Sequence, residues 1–250
     1  MKIFKPNEYV YTALQFTVPL ALYLGVTAGA GIHWWILSFI MFLLYTIVGN
    51  NIALHRYYSH DEFEVGPVVK KLFAWLTLTL SIGSPASYAS LHITHHIYPT
   101  SGPDWTWRSL PFYKHIWFDK DTIQPYIGKR VVQLYREHPL IHDYNLLLIA
   151  VYAVALYLIS YKLFLFFWFI PVTVSMWEIA LAVYFQHRQP AVNSPWHWFF
   201  PTWEGLHANH HDYPGQSNNA QQIGQIDYTY LVSKLFVVKY KYEAKTNISN

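Results

Sequence analysis

The chain has 250 residues, of which 53% are apolar, 19% aromatic and only 12% charged, about half the charged fraction of an average soluble domain. It contains no cysteine, which excludes disulfides, thiolate zinc sites and iron–sulfur clusters. The net charge of +3 comes without a dense basic run or a basic helix stripe, so nucleic acid is not an expected partner. This composition predicts one integral-membrane domain over residues 1–250.

Two long apolar stretches organise the chain. The first, residues 9–54, contains no charged residue and is twice as long as the roughly 20 residues that one crossing needs. A turn at Gly29, Ala30 and Gly31 divides it into two spans. The second stretch is divided by Lys162. The sequence therefore predicts an all-α membrane protein with four transmembrane helices in two hairpins, at about residues 9–29, 33–54, 144–161 and 163–186.

The distribution of positive charge predicts the orientation. Of the 17 Lys and Arg residues, all except Lys162 fall on one side of these four spans. Cytoplasmic segments of membrane proteins are enriched in Lys and Arg. Both termini are therefore expected on the cytoplasmic side of a multi-pass protein, together with a cytoplasmic cap made of residues 92–143 and 187–250.

Residues 70–91 are predicted to form an interfacial helix and not a fifth span. The segment is apolar and long enough to cross, but Gly83, Ser84 and Pro85 interrupt it. A crossing would also move the histidines that follow it to the face opposite the histidines that precede it.

Eight histidines form three short boxes, HRYYSH, HITHH and HANHH. Histidines three and four residues apart lie on one side of a helix, so each HxxHH can aim three nitrogens at one point. Neutral imidazole suits iron, zinc and copper, and eight ligands are too many for one ion. The boxes predict two metal ions held by His55, His60, His92, His95, His96, His207, His210 and His211.

The order of the boxes resembles the membrane-bound fatty acid desaturases of the delta-9, stearoyl or acyl-lipid type. That family follows HRxxSH with HxxHH and then EGxHxxHH, and this chain has HRYYSH, HITHH and EGLHANHH. The match extends from the first span to about Asp212. The resemblance implies a di-iron centre with nine histidines, and His187, just after the fourth span, occupies the place of the ninth.

The chain departs from the family pattern at three places. Val183 stands where the family usually has an Asn four residues before the ninth histidine, and Ile93 stands where the second box commonly has Arg. The Asp-rich segment after the second box is replaced by IYPTSGPDW, which keeps only Pro103 and Asp104. The last two changes touch the surface where an acyl head group or an electron donor would dock, so the form of the substrate stays open.

The resemblance implies an oxygen-dependent desaturase that introduces a cis double bond into a saturated acyl chain. It would use two Fe²⁺ ions, with O₂ as co-substrate and no catalytic side chain beyond the metal ligands. The acyl group could arrive as acyl-lipid, acyl-CoA or acyl carrier protein. Electrons would come from a separate ferredoxin or small cytochrome, since the sequence has neither cysteine nor a fused haem-binding domain.

Three other residues are candidates to hydrogen-bond ligand imidazoles and fix their orientation, namely Asn51, Glu204 and Asp212. Two alternative functions stay open: a di-iron alkyl or fatty acid hydroxylase, and a membrane metal-binding or transport protein. The remaining histidines stand alone in loops or beside Trp and Pro, and are expected outside the metal site. They are His33, His115, His138, His142 and His197.

Overall fold

The computed structural model describes residues 8–99, 125–187, 191–194 and 202–242. It is mostly helical, at 70%. His115, His197, Pro103 and Asp104, about which the sequence made predictions, lie outside the described residues.

The predicted first span is two helices, α1 (Glu8–Phe16) and α2 (Val18–Thr27). The interruption at Thr17 has a local cause, because Pro19 lies in the first turn of α2. A proline lacks the N–H that would continue the preceding helix and is favoured at a helix start. The predicted turn follows α2, where Gly29 has a φ of 57°, a left-handed conformation that glycine adopts without strain.

Among the described residues, two helices are long and apolar enough to cross a membrane by length and composition: α3 (Ile32–Ser59) and α9 (Tyr161–Gln186). They have 28 and 26 residues, so each exceeds the roughly 20 residues of a single crossing. The two pack together, and Thr46 and Ser175 hydrogen-bond between them through their hydroxyls at 3.1 Å.

The segment predicted as one interfacial helix is two helices, α4 (Pro67–Leu80) and α5 (Pro85–Ile97). The helix stops because Ser81 and Gly83 take positive φ values of 67° and 142°. It restarts at Ser84, whose hydroxyl accepts a hydrogen bond from the Ser87 N–H at 3.1 Å. Both helices pack against the second half of α3, and α5 carries the second histidine box.

A short two-stranded antiparallel sheet corrects the all-α expectation. Strand β1 (Phe63–Val65) follows the first histidine box and pairs with β2 (Val237–Tyr240) near the end of the described chain. Phe63 and Val65 are buried while Glu64 between them is exposed, the alternation of a strand with one covered face. The remaining helices are α6 (Lys129–Glu137), α7 (Pro139–Asp143), α8 (Asn145–Ile159), α10 (His207–Asp212) and α11 (Tyr228–Ser233).

Replacing Ser84 by Ala is expected to lower the free energy of unfolding by about 1–2 kcal/mol. The substitution removes the cap of α5 and the contact between the Ser84 hydroxyl and His142 Nδ1, 2.7 Å away. The measurement is the unfolding midpoint in detergent. Ser160→Ala is the matched control, since that cap accepts from the Leu163 N–H at 3.4 Å and should cost less. Equal losses for the two variants would contradict this account.

Candidate metal centre

The structure brings the nine histidines into two groups. Within each group the ligand nitrogens all lie within 4.8 Å of one another. We call them the five-histidine group and the four-histidine group. The five-histidine group is His55, His60, His92, His96 and His210, and the four-histidine group is His95, His187, His207 and His211.

The first box depends on an unusual helix. The last sixteen residues of α3, Leu44–Ser59, are π-helical, and the His60 N–H donates to the His55 carbonyl at 3.1 Å. In an α-helix, residues five apart point about 140° away from each other. Hydrogen bonds between residues five apart widen the turn and bring such residues towards one face. The two rings lie 4.9 Å apart between centroids.

Each HxxHH box is divided between the two groups, which corrects the expectation that one box aims three nitrogens at one point. In α5, His92 and His96 join the five-histidine group and His95 joins the other. The reason is angular: residues four apart on an α-helix differ in direction by about 40°, while adjacent residues differ by about 100°. In α10, His207 and His211 likewise share a group, and His210 joins the opposite one.

The spacing of the nitrogens fits ligands of a common ion. Two nitrogens about 2.1 Å from one ion are about 3.0 Å apart at a right angle and about 3.4 Å apart at the tetrahedral angle. The observed Nε2 separations follow the right-angled value. In the five-histidine group they are His55–His210 2.9 Å, His60–His92 2.7 Å, His92–His96 3.0 Å and His96–His210 3.1 Å. In the four-histidine group they are His95–His211 3.0 Å, His211–His207 3.0 Å, His207–His187 2.8 Å and His187–His95 2.9 Å.

Hydrogen bonds to the far nitrogens decide which nitrogen carries the lone pair. The His187 Nδ1 donates to the Val183 carbonyl at 2.6 Å, and the His55 Nδ1 donates to the Glu204 carboxylate. A neutral imidazole has a single N–H, so the Nε2 of both rings presents a lone pair towards its group. Converging lone pairs repel each other unless a cation lies between them. The backbone carbonyl of Val183 thus orients His187, although the Val183 side chain is apolar and cannot accept a hydrogen bond.

Burial favours the neutral, metal-binding form of six of the nine imidazoles. Loss of solvation lowers the pKa of His95 to about 3, with the nearby His55 acting in the same direction. Loss of solvation is also the largest cause that lowers the pKa values of five other histidines of the two groups well below the ordinary value of histidine. They are His60, His92, His96, His207 and His210.

Of the three residues predicted to orient ligands, only Glu204 contacts a ligand imidazole in the described part of the chain. Burial alone would raise its pKa, but the adjoining His55 and Arg56 lower that pKa to about 2, so the carboxylate is ionised. Asn51 donates to the Thr202 carbonyl at 2.7 Å and so holds the segment that precedes Glu204. Asp212 is exposed at the end of α10 and bonds to no ring among the described residues.

Apart from His187, three described histidines lie outside the boxes, and these three lie away from the two groups. His33 is exposed beside Trp34, and His138 packs edge-on against the ring of Tyr58. His142 is buried against the Ser84 hydroxyl. None of these three belongs to either histidine group.

Two residues beside the site were not singled out from the sequence. Arg56, in the first box, is 1% exposed and its guanidinium bridges Glu204 and Asp227. The position of Arg56 inside HRYYSH is a local signal from which its place beside the site could have been predicted. Asp227 lies in the polar segment after the last box, and no spacing connects it with the histidines.

A mostly helical chain with two long apolar helices and two buried histidine groups defines a membrane-associated protein that could hold metal ions. A family model described as fatty acid desaturase matches residues 32–222, which is well over half of the chain. The chain therefore belongs to the fatty acid desaturase family. A comparison with curated proteins finds no match.

We expect His95→Ala to reduce the number of tightly bound metal ions per chain from two to one. The variant removes one of four ligands in its group and leaves the five-histidine group complete. Metal content is measured after purification and removal of loosely bound ions. His33→Ala, the same substitution at an exposed histidine outside both groups, should retain two. A His95→Ala protein that keeps both ions would show that the four-histidine group is not a ligand set.

Proposed function

We propose that this protein is an oxygen-dependent fatty acyl desaturase with a histidine-ligated di-iron centre, which introduces a cis double bond into a saturated acyl chain. The observation that carries the proposal is the pair of buried histidine groups, Nε2 facing Nε2, in a chain of the fatty acid desaturase family. Membership of the family supports the acyl substrate, and the two groups support a centre of two ions.

The donor set favours iron. All nine ligands are imidazoles, a nitrogen donor that suits iron, zinc and copper. Structural zinc sites are almost always tetrahedral, whereas the nitrogens here stand at the spacing of right-angled neighbours. Such an arrangement leaves coordination positions for further ligands. Iron held in this way supplies the oxygen activation that hydrogen abstraction from an unactivated carbon requires.

The two groups form one site. The rings of His96 and His211, from opposite groups, stack with centroids 4.5 Å apart, and those of His95 and His96 are 5.3 Å apart. Both groups take ligands from the same two helices, α5 and α10, so neither can move without the other. Five of the nine histidines are buried, among them His210 at 0% and His95 at 2% exposed, which limits the access of water to that part of the site. We infer that the acyl chain is positioned against this shared face, which selects the carbons that react.

The proposed topology has four spans, with the histidines and both termini on the cytoplasmic side. Besides α3 and α9, helices α2 and α8 are shorter apolar helices. One face of α8 is exposed and entirely apolar, as expected for contact with lipid. Its residues Leu147, Val151, Val154 and Leu158 are 56–77% exposed.

The remaining partners follow from the chemistry. Each desaturation consumes two electrons from outside, and the 250 residues contain no cysteine for an iron–sulfur cluster. We therefore propose a separate ferredoxin or small cytochrome as the donor. The acyl carrier, whether lipid, coenzyme A or carrier protein, is left to experiment.

Expression in a host membrane that contains an electron donor should produce a new unsaturated fatty acid, detected by gas chromatography. His95→Ala should abolish it, because one histidine group loses a ligand, whereas His33→Ala should retain it. A hydroxylated fatty acid in place of the alkene would assign the chain to the hydroxylases. No lipid change together with metal transport would favour the transport protein.

Single-cysteine labelling tests the topology, since the native chain has no cysteine and each introduced thiol is unique. Glu64→Cys and Tyr98→Cys follow the first and second boxes, and Tyr161→Cys lies in the turn between the last two proposed spans; all three positions are exposed. A membrane-impermeant thiol reagent added to right-side-out vesicles should label only Tyr161→Cys. Labelling of Glu64→Cys and Tyr98→Cys from opposite sides would refute a shared metal site.

A further inference from the structure

A buried chain of charged groups extends from the five-histidine group into the C-terminal part of the protein. One oxygen of Glu204 contacts the His55 Nδ1, and the other accepts from the Arg56 Nε at 2.7 Å. The Arg56 Nη2 donates to both carboxylate oxygens of Asp227 at 3.0 Å, and its Nη1 donates to the Ser217 carbonyl at 2.8 Å. The side chains of Glu204, Arg56 and Asp227 are 8%, 1% and 5% exposed.

Asp227 is itself held in a fixed orientation. Its carboxylate accepts hydrogen bonds from the Tyr230 N–H at 2.9 Å, at the start of α11, and from the Asn219 N–H at 2.8 Å. It also lies beyond residues 32–222, the part matched by the family model. The far end of the chain of charges is therefore anchored to backbone and not to a mobile side chain.

The guanidinium transmits this anchoring because it is planar and its donors have a rigid geometry. Asp227 and the Ser217 carbonyl fix the plane of Arg56, and Arg56 then fixes one oxygen of Glu204. The second oxygen of the same carboxylate meets the imidazole of His55. Carboxylates that accept from the far nitrogen of a metal-binding histidine set its ring orientation and raise its basicity. Without Asp227, Arg56 would have one carboxylate partner fewer in a buried site and would be free to turn.

The four-histidine group is oriented differently. The His187 Nδ1 donates to the Val183 carbonyl, which lies one turn earlier on its own helix. The chain of charged groups from Asp227 instead meets the histidines at His55, a member of the five-histidine group.

We propose that Asp227 is a positioning residue for His55, acting through Arg56 and Glu204, so that the C-terminal segment sets the metal affinity of the five-histidine group selectively. This inference rests on the proposed function, because it takes both groups as metal sites. Under this inference, a residue that follows the last histidine box helps to orient a histidine of the metal centre.

The test uses Asp227→Asn and Asp227→Ser, two side chains that still cap α11 but remove the negative charge from Arg56. Iron binding to the purified full-length chain is titrated against a chelator, and the two equivalents are followed separately by Mössbauer spectroscopy. Affinity for one equivalent should fall by about tenfold, and the other should be unchanged. Lys241→Gln is the matched control, as it removes a different ion pair of the same segment, with Asp61 at 2.7 Å. It should leave both affinities as they are.

A double variant, Asp227→Asn with Glu204→Gln, should bind iron no more weakly than Glu204→Gln alone, because both changes break one chain of contacts. Additive losses would overturn the inference, as would equal weakening of both equivalents or an unfolding midpoint that falls while both affinities stay constant. A wild-type chain that binds no iron would refute the proposed function itself, a separate outcome visible before any variant is made.

Discussion

The structure depends on holding imidazole nitrogens a few ångströms apart in a site whose histidines are buried or partly buried. Imidazole nitrogens 2.7–3.1 Å from each other repel when both present lone pairs, unless a cation joins them. The backbone around them is arranged accordingly. A π-helix turns His55 and His60 to one face, and a break at residues 81–84 separates α4 from α5, which packs against α3. A metal ion held by these groups would couple its binding to formation of the fold, because no preformed site exists in the unfolded chain.

Two different devices orient the ligands. In the four-histidine group, the backbone carbonyl of Val183, one helical turn away, accepts a hydrogen bond from His187 and fixes its ring. The side chain of Val183 takes no part in this hydrogen bond. In the five-histidine group a carboxylate fixes His55, and that carboxylate is secured by an arginine and a second carboxylate. A buried pair of carboxylates around one guanidinium is stable only as a complete set, because a single unpaired charge in the interior costs several kcal/mol.

The family and the helical character could be recognised from the sequence, whereas several details of the fold could not. The length of the uncharged apolar stretches indicated helices over 33–54 and 163–186, where α3 and α9 are found. Pro19 nevertheless divides the first predicted span, and β2 returns to pair with β1. Sequence periodicity reports which face of an element is apolar; it does not report a pairing between residues 63 and 240, which share no local pattern.

The sequence by itself determined the ligand types, since three boxes of histidine in a chain without cysteine leave only nitrogen and oxygen donors. It also determined that boxes of this spacing would lie on helices. Only the tertiary structure decided how the histidines are shared, because the partners that each half of an HxxHH meets come from other parts of the chain: His55 and His60 for one group and His187 for the other. It alone connected Asp227 with His55, since the connection passes through space across 171 residues of chain between Arg56 and Asp227.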